Sequence, residues 1–281
     1  MKRAIIILLA AAVLLGVVGC KKETAKTSLT VAMSPDFAPM EFVDTSKTGQ
    51  DQYVGFDVTL ANYLAQELGL TLEIKPMSFD ACQTAVQLGS VDMSISGFSW
   101  TAEREENYLI SDYYIAGDNE TQQSVITVKA KEGTMTTAES FSGLKIGAQA
   151  ASLQEKLVQE ALIPAGAEMV TYKSIDVAVL ALQTGKIDVL AVAHGNGEAI
   201  ISNNPDIAFA GYDFEVDPKY ENNVILLNKN STELLTKVNA ALAKALEGNY
   251  YDGWYEDAKA LAGISTAAEV SYNDDGTAPS N

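Results

Sequence analysis

Histidine is almost missing from this chain of 281 residues: His194 is the only one. Cysteine occurs twice, at Cys20 and Cys82. A lone histidine and two distant cysteines give no metal-ligand spacing, and no glycine-rich turn presents a nucleophile, so no metal, cofactor or catalytic residue is expected. Paired carboxylates stay open as a source of chemistry. Basic residues are scarce as well, 19 against 37 acidic, for a formal charge of −18. That balance argues against nucleic acid as a partner and repels an anionic membrane surface. The apolar run at residues 4–18, broken only by Gly16, falls short of the ~18 residues or more of a membrane span.

What the chain does have begins at its start. Lys2 and Arg3, the apolar run and Gly19-Cys20 are the charged end, hydrophobic centre and small-residue cut site of an export signal. Val17-Val18-Gly19-Cys20 resembles the bacterial lipoprotein signal, with Val17 where leucine is usual. The resemblance implies removal of residues 1–19 and a lipid on Cys20; an ordinary signal peptide with a chance cysteine is the alternative. Either way the protein works outside the cytoplasm, on the outer face of the cell membrane or in the periplasm. The mature chain keeps 17 basic residues against 37 acidic, a charge of −20. Attachment then rests on the lipid, whose two chains suffice. Cys82 has no partner for a disulfide, so the fold stands on burial alone. Residues 20–28 read as a polar tether, with the folded part beginning near Leu29.

Short β-rich runs alternate with helical periods, which predicts an α/β fold with largely parallel sheets. Residues 29–33 and 70–74 read as strands around a helix at 56–68 that stops at Gly69. Ala85-Val86-Gln87-Leu88-Gly89-Ser90-Val91-Asp92 is echoed 96 residues later by Ala181-Leu182-Gln183-Thr184-Gly185-Lys186-Ile187-Asp188. In both, a helix ends at a glycine suited to the left-handed cap and an aspartate opens a buried strand. Two similar lobes explain the repeat. The second would hold a strand at 144–148, a helix at 152–162, a strand at 169–172 and a helix capped by Ser174. Strands at 206–211 and 223–227 and a helix at 231–247 follow. Residues 265–281 read as a disordered tail.

From Leu29 to about Ala262 the chain resembles the family-3 solute-binding proteins of ATP-binding-cassette (ABC) amino-acid importers. The resemblance rests on Phe37-Ala38-Pro39-Met40-Glu41-Phe42, Tyr53-Val54-Gly55-Phe56-Asp57-Val58, Ser96-Gly97-Phe98-Ser99-Trp100-Thr101-Ala102-Glu103-Arg104, Ile110-Ser111-Asp112-Tyr113-Tyr114 and Lys145-Ile146-Gly147-Ala148-Gln149-Ala150-Ala151-Ser152, in that order. It implies a two-lobed periplasmic-binding-protein-like fold (type II), each lobe a mixed, mostly parallel sheet flanked by helices. Residues 29–117 and 223–264 would form the first lobe and 118–222 the second, with hinge strands at its ends. A monomer binding an amino acid or related small carboxylate between its lobes, and passing it to an ABC permease, is the implied function. A ligand sensor for a membrane receptor and a cyclohexadienyl-dehydratase-like enzyme are the alternatives on the same fold.

The resemblance also implies roles. Arg104 would hold the ligand carboxylate with two parallel hydrogen bonds. Gly97, Phe98 and Ser99 lie beside it, Gly97 allowing close approach and Ser99 offering a hydroxyl. Phe37 and Phe56 match positions that pack rings over the ligand side chain, with core packing as the alternative. From the opposite lobe, Ser152 and Leu153 begin a helix whose free N–H groups would meet the carboxylate, or Ser152 serves its helix alone. Gln149 either reaches the ligand or faces the hinge. Trp100 lines the cleft or packs beneath it.

Two departures stand out. The aspartate that the family usually sets against the ligand α-ammonium is Ala193 here, beside His194, which either contacts the ligand or is simply solvated. An inserted polar stretch around Asp118-Asn119-Glu120-Thr121 could bring Asp118 or Glu120 to the cleft as a substitute, or could be a solvated loop.

Overall fold

The computed structural model describes residues 26–114, 122–220 and 223–264, and two five-stranded sheets organise them. The first contains β1 (Ser28–Met33), β5 (Thr71–Pro76), β6 (Met93–Ser99), β7 (Leu109–Ile110) and β13 (Asn223–Leu227), in the order β5-β1-β6-β13-β7. The second contains β8 (Gln123–Val128), β9 (Lys145–Gln149), β10 (Glu168–Tyr172), β11 (Val189–Ala193) and β12 (Ile207–Phe214), in the order β10-β9-β11-β8-β12. In each, three neighbouring strands run parallel and the remaining two join antiparallel. The sheets are therefore mixed. A small antiparallel sheet of β2 (Asp36–Phe37), β3 (Glu41–Val43) and β4 (Tyr53–Val54) sits beside the first.

Helices cover both faces of each sheet, as a parallel core requires. Helix α1 (Phe56–Glu67) sets Phe56, Leu60, Ala61, Leu64 and Ala65 on one buried stripe, the spacing that a 3.6-residue period puts on one face. With α7 (Thr232–Glu247) and α8 (Tyr251–Leu261) it builds the main core of the first lobe, while α2 (Phe79–Gln87) covers the opposite face. In the second lobe α4 (Leu153–Leu157), extended by a wider π turn at Val158–Leu162, covers one face; α5 (Ile175–Gln183) and α6 (His194–Asn203) cover the other. A short helix α3 (Ala102–Asn107) follows β6. Among the described residues no helix is long and apolar enough to cross a membrane.

The internal repeat is structural. Gly89 and Gly185 share φ = 68°, and Asp92 and Asp188 open β6 and β11 in the same way. Asp92 N–H donates to the Thr30 carbonyl of the parallel neighbour at 3.0 Å, and Asp188 N–H to that of Lys145 at 2.9 Å. Each carboxylate then accepts the backbone N–H of the same neighbour, Thr30 or Lys145. One expected device differs. Ser174 is the N-cap of α5 but makes no side-chain capping bond; the Ile175 N–H donates instead to Asp36 of the first lobe. Cys20, the tether up to residue 25, Asp118, Glu120 and the tail at 265–281 lie outside the described residues.

Candidate functional site

The carboxyl ends of β1, β6 and β9 converge between the lobes, the place where open α/β sheets hold ligands. Ser34, Asp36 and Phe37 follow β1, Ser99 and Arg104 close β6, and Gln149 and Ser152 close β9; all line one cavity. Its free volume is only about 20 Å³, little more than one water molecule needs. The lobes therefore touch across the cleft, and an amino acid enters only if they part.

Arg104 is buried, at 5% exposure, and spans the seam. Its Nη1 donates to the Ser99 carbonyl at 2.6 Å, and its Nη2 crosses to the Ala151 carbonyl of the second lobe at 2.9 Å. Thr101 caps α3 by accepting the Arg104 N–H at 3.1 Å, which fixes where the side chain starts. The guanidinium lies 5.2 Å from the Phe98 ring centroid and 5.6 Å from that of Phe79. A fixed, permanently charged fork in this setting suits a carboxylate, a stronger acceptor than a carbonyl.

Phe37 packs against the cores of both lobes. Gly97 has φ = 55°, and a Cβ there would stand 2.6 Å from Phe37 Cε1, so only glycine lets the ring lie on this strand. The expectation for Phe56 is corrected. Its ring is fully buried in the first core among Tyr114, Tyr251, Trp254 and Tyr255, with centroids 6.0–6.3 Å away, because it opens α1 on the face turned from the cleft. Phe79 is the second ring of the cavity and stacks on Phe98 at 4.6 Å. Phe98 is itself fully buried, beneath Arg104.

In the second lobe, Ser152 accepts the Glu155 N–H at 3.1 Å and donates to the Gln149 carbonyl at 2.7 Å. Glu155 accepts the Ala151 N–H at 2.7 Å. The free N–H groups expected at this turn are thus partly consumed by its own Ser-x-x-Glu pair, a capping arrangement legible in Ser152-Leu153-Gln154-Glu155. Ser152 and Leu153 still line the cavity. Gln149 reaches Asp36 Oδ1 at 3.5 Å. Trp100 stacks on Tyr220 at 6.5 Å, away from the cavity wall. Ala193 is buried, and His194 turns into its own lobe: its ring stacks on Phe209 at 4.4 Å and its Nδ1 meets Ser124 Oγ at 2.9 Å. Ser124 donates to Asp213 at 2.6 Å, so it accepts from the histidine.

The cavity has an acidic end that sequence reasoning missed. Asp36 accepts from Ser34 Oγ at 2.9 Å and from the Ile175 N–H at 2.7 Å. Glu41, fully buried, accepts a short hydrogen bond from Ser96 and lies beside Asp57. Burial above all, then the Asp57 charge, pushes the Glu41 carboxyl well above its usual range. Burial likewise raises Asp57 to about 6, against the pull of the Gly97 N–H and the Tyr114 hydroxyl. The signal was present: Glu41 lies between Met40 and Phe42, and Asp57 between Phe56 and Val58, single charges inside apolar runs. Phe79 and Asp36 carried no such mark, because their partners are far along the chain.

Two α/β lobes closing on a cavity with an arginine at their seam define a cleft-type ligand-binding protein. The chain belongs to the bacterial extracellular solute-binding proteins, family 3, which it matches over residues 29–257. It is 27% identical to the arginine-binding extracellular protein ArtP of Bacillus subtilis, over 89% of this chain and 94% of that one. It is also 27% identical to the lysine/arginine/ornithine-binding periplasmic protein of Escherichia coli, over 90% and 95%. Among solved structures it resembles the amino acid ABC transporter substrate-binding protein AbpA of Streptococcus pneumoniae bound to L-arginine. There the identity is 33%, the coverage 85% and 97%, and the TM-score 0.75.

Proposed function

We propose that this protein captures an amino acid with a cationic side chain, L-arginine first, and hands it to an ABC importer. One observation carries the choice of ligand: a single cavity is lined by Arg104 and by the carboxyls of Asp36 and Glu41, with the rings of Phe37 and Phe79 also in its wall. Arg104 takes the α-carboxylate, the rings cover the aliphatic stem and the acidic end takes the cation. Gln149, Ser152 and Leu153 complete the site from the second lobe, with Gly97 and Ser99 on the first. The names of the relatives point to the same class of ligand.

In this reading binding and closure are one event, since Arg104 and Asp36 each make contacts that exist only when the lobes meet. The lobes divide as 29–117 with 223–264, and 118–222. The protein is a monomeric, non-catalytic receptor, held by lipid on Cys20. Replacement of Cys20 by alanine then releases it from the membrane fraction, and retention of that variant would reject the anchor. The ligand test is a thermal-shift screen of residues 21–281 against amino acids. A shift with L-arginine or L-lysine but not with L-glutamate supports the reading, and silence toward every cationic amino acid rejects it.

A further inference from the structure

Glu41 and Asp57 meet because the Asp57 N–H donates to the Met40 carbonyl at 2.8 Å, which ties the start of α1 to β3. Both side chains are fully buried. Asp57 Oδ2 accepts two donors, the Gly97 N–H at 2.8 Å and the Tyr114 hydroxyl at 3.1 Å. Glu41 Oε1 accepts one, the Ser96 hydroxyl, which in turn accepts the Ser34 N–H at 3.0 Å. The other oxygens, Glu41 Oε2 and Asp57 Oδ1, receive no donor among the described residues, although the two carboxyls are within hydrogen-bonding reach of each other.

Two touching buried carboxyls do not both ionise. One proton held between the two carboxyls relieves that conflict, and the donor count assigns it. Asp57, with two donors, is the anion, and Glu41, with one, is the acid. The surrounding charges agree. Asp36 adds negative charge toward Glu41, Tyr114 is a neutral donor, and Cys82 behind the sheet is a thiol whose pKa burial pushes up. Arg104, the cation among these neighbours, lines the same cavity as Glu41.

We propose that Glu41 recognises the cationic end of the ligand, sharing a proton with Asp57 in the free protein and losing it to solvent when the cation arrives. The inference rests on the cationic-ligand reading above. The balance is simple: Glu41–COOH becomes carboxylate, the buffer takes the proton, and the ligand cation replaces it as the charge facing the pair. A neutral isostere such as L-citrulline supplies no charge and leaves the proton in place. Capture of L-arginine therefore weakens as pH falls, and capture of L-citrulline does not.

The test has two readouts on residues 21–281. The infrared spectrum of the free protein at pH 7 shows a buried carboxylic-acid carbonyl band, which Glu41→Gln removes; its amide can still donate to Asp57, so that variant folds. Calorimetry of L-arginine in two buffers of different ionisation enthalpy then gives close to one proton released per ligand. Glu41→Gln abolishes the release and weakens L-arginine at least tenfold while sparing L-citrulline. Absence of the band overturns the shared proton. Tight L-arginine binding without proton release overturns the linkage and leaves the ligand class standing. Failure of both L-arginine and L-lysine to bind rejects the ligand class and the linkage with it, and the band alone then decides whether the pair holds a proton.

Discussion

Asp36 Oδ2 accepts the backbone N–H of Ile175 at 2.7 Å, across 139 residues of sequence and from one lobe to the other. The first turn of α5 is thus capped by a carboxylate of the opposite lobe, where a helix N-terminus favours negative charge. A cap normally lies within its own segment, and here it serves as a latch. Its loss acts on the closed form alone.

Asp36→Ala is therefore expected to weaken ligand binding by about 5- to 30-fold, the equivalent of the 1–2 kcal/mol of a lost cap. Ser174→Ala, which removes no capping bond, leaves affinity unchanged. Isothermal calorimetry of the two variants with L-citrulline, which carries no side-chain cation for Asp36 to bind, distinguishes a latch from an incidental contact, because equal affinities would dismiss it.

Arg104→Met removes the charged fork and keeps much of the packing against Phe79 and Phe98. Two charge-assisted hydrogen bonds lost to a ligand carboxylate predict a drop in affinity of about a hundredfold or more. Arg104→Lys recovers little of it, since an ammonium cannot reproduce the bidentate geometry. An affinity within threefold of the wild type in Arg104→Met would move the carboxylate site elsewhere.

Phe56 and Phe37 separate stability from binding. Phe56→Ala empties a fully buried core position, which costs about 3–5 kcal/mol and lowers Tm by roughly 6–20 °C in a protein of this size. Phe37→Ala, at a half-buried cavity wall, lowers affinity more than Tm. Differential scanning calorimetry and a binding titration on both variants check the assignment; the reverse pattern would restore Phe56 to the site.

The buried carboxyls also set a pH dependence. Asp57 titrates near 6 when folded and near 4 when unfolded, so its neutral form is held more tightly in the native state. Its contribution is fully present below about pH 4 and is lost as pH rises through 6, by on the order of 3 kcal/mol. Asp57→Asn, which stays neutral, should gain stability relative to the wild type as pH rises from 4.5 to 7. Urea unfolding at the two pH values measures this, and a variant that loses ground to the wild type toward pH 7 would contradict the shift.

Much of the architecture was legible along the chain. The apolar stripe from Phe56, the glycine stops at Gly69, Gly89 and Gly185, and the aspartates opening β6 and β11 are local signals, because helix period, left-handed caps and buried strands are properties of short segments. The motif around Arg104 marked the seam, and the glycine at 97 marked a close approach. Ser152 read correctly as a helix start, though the N–H groups of that turn are partly occupied by Ser152 and Glu155.

What only the tertiary structure decided is who meets whom. A helical pattern shows that Phe56 is buried on one face, but not that this face turns from the cleft while Phe79 turns toward it. Capping propensity nominated Ser174, yet the distant Asp36 makes the bond, because an N–H donates to the best anion that folding brings within reach. Glu41 and Asp57 appear in sequence as two isolated charges among apolar neighbours. Their shared burial, and the proton it requires, exist only once β3, α1 and β6 pack together and exclude water from the space between them.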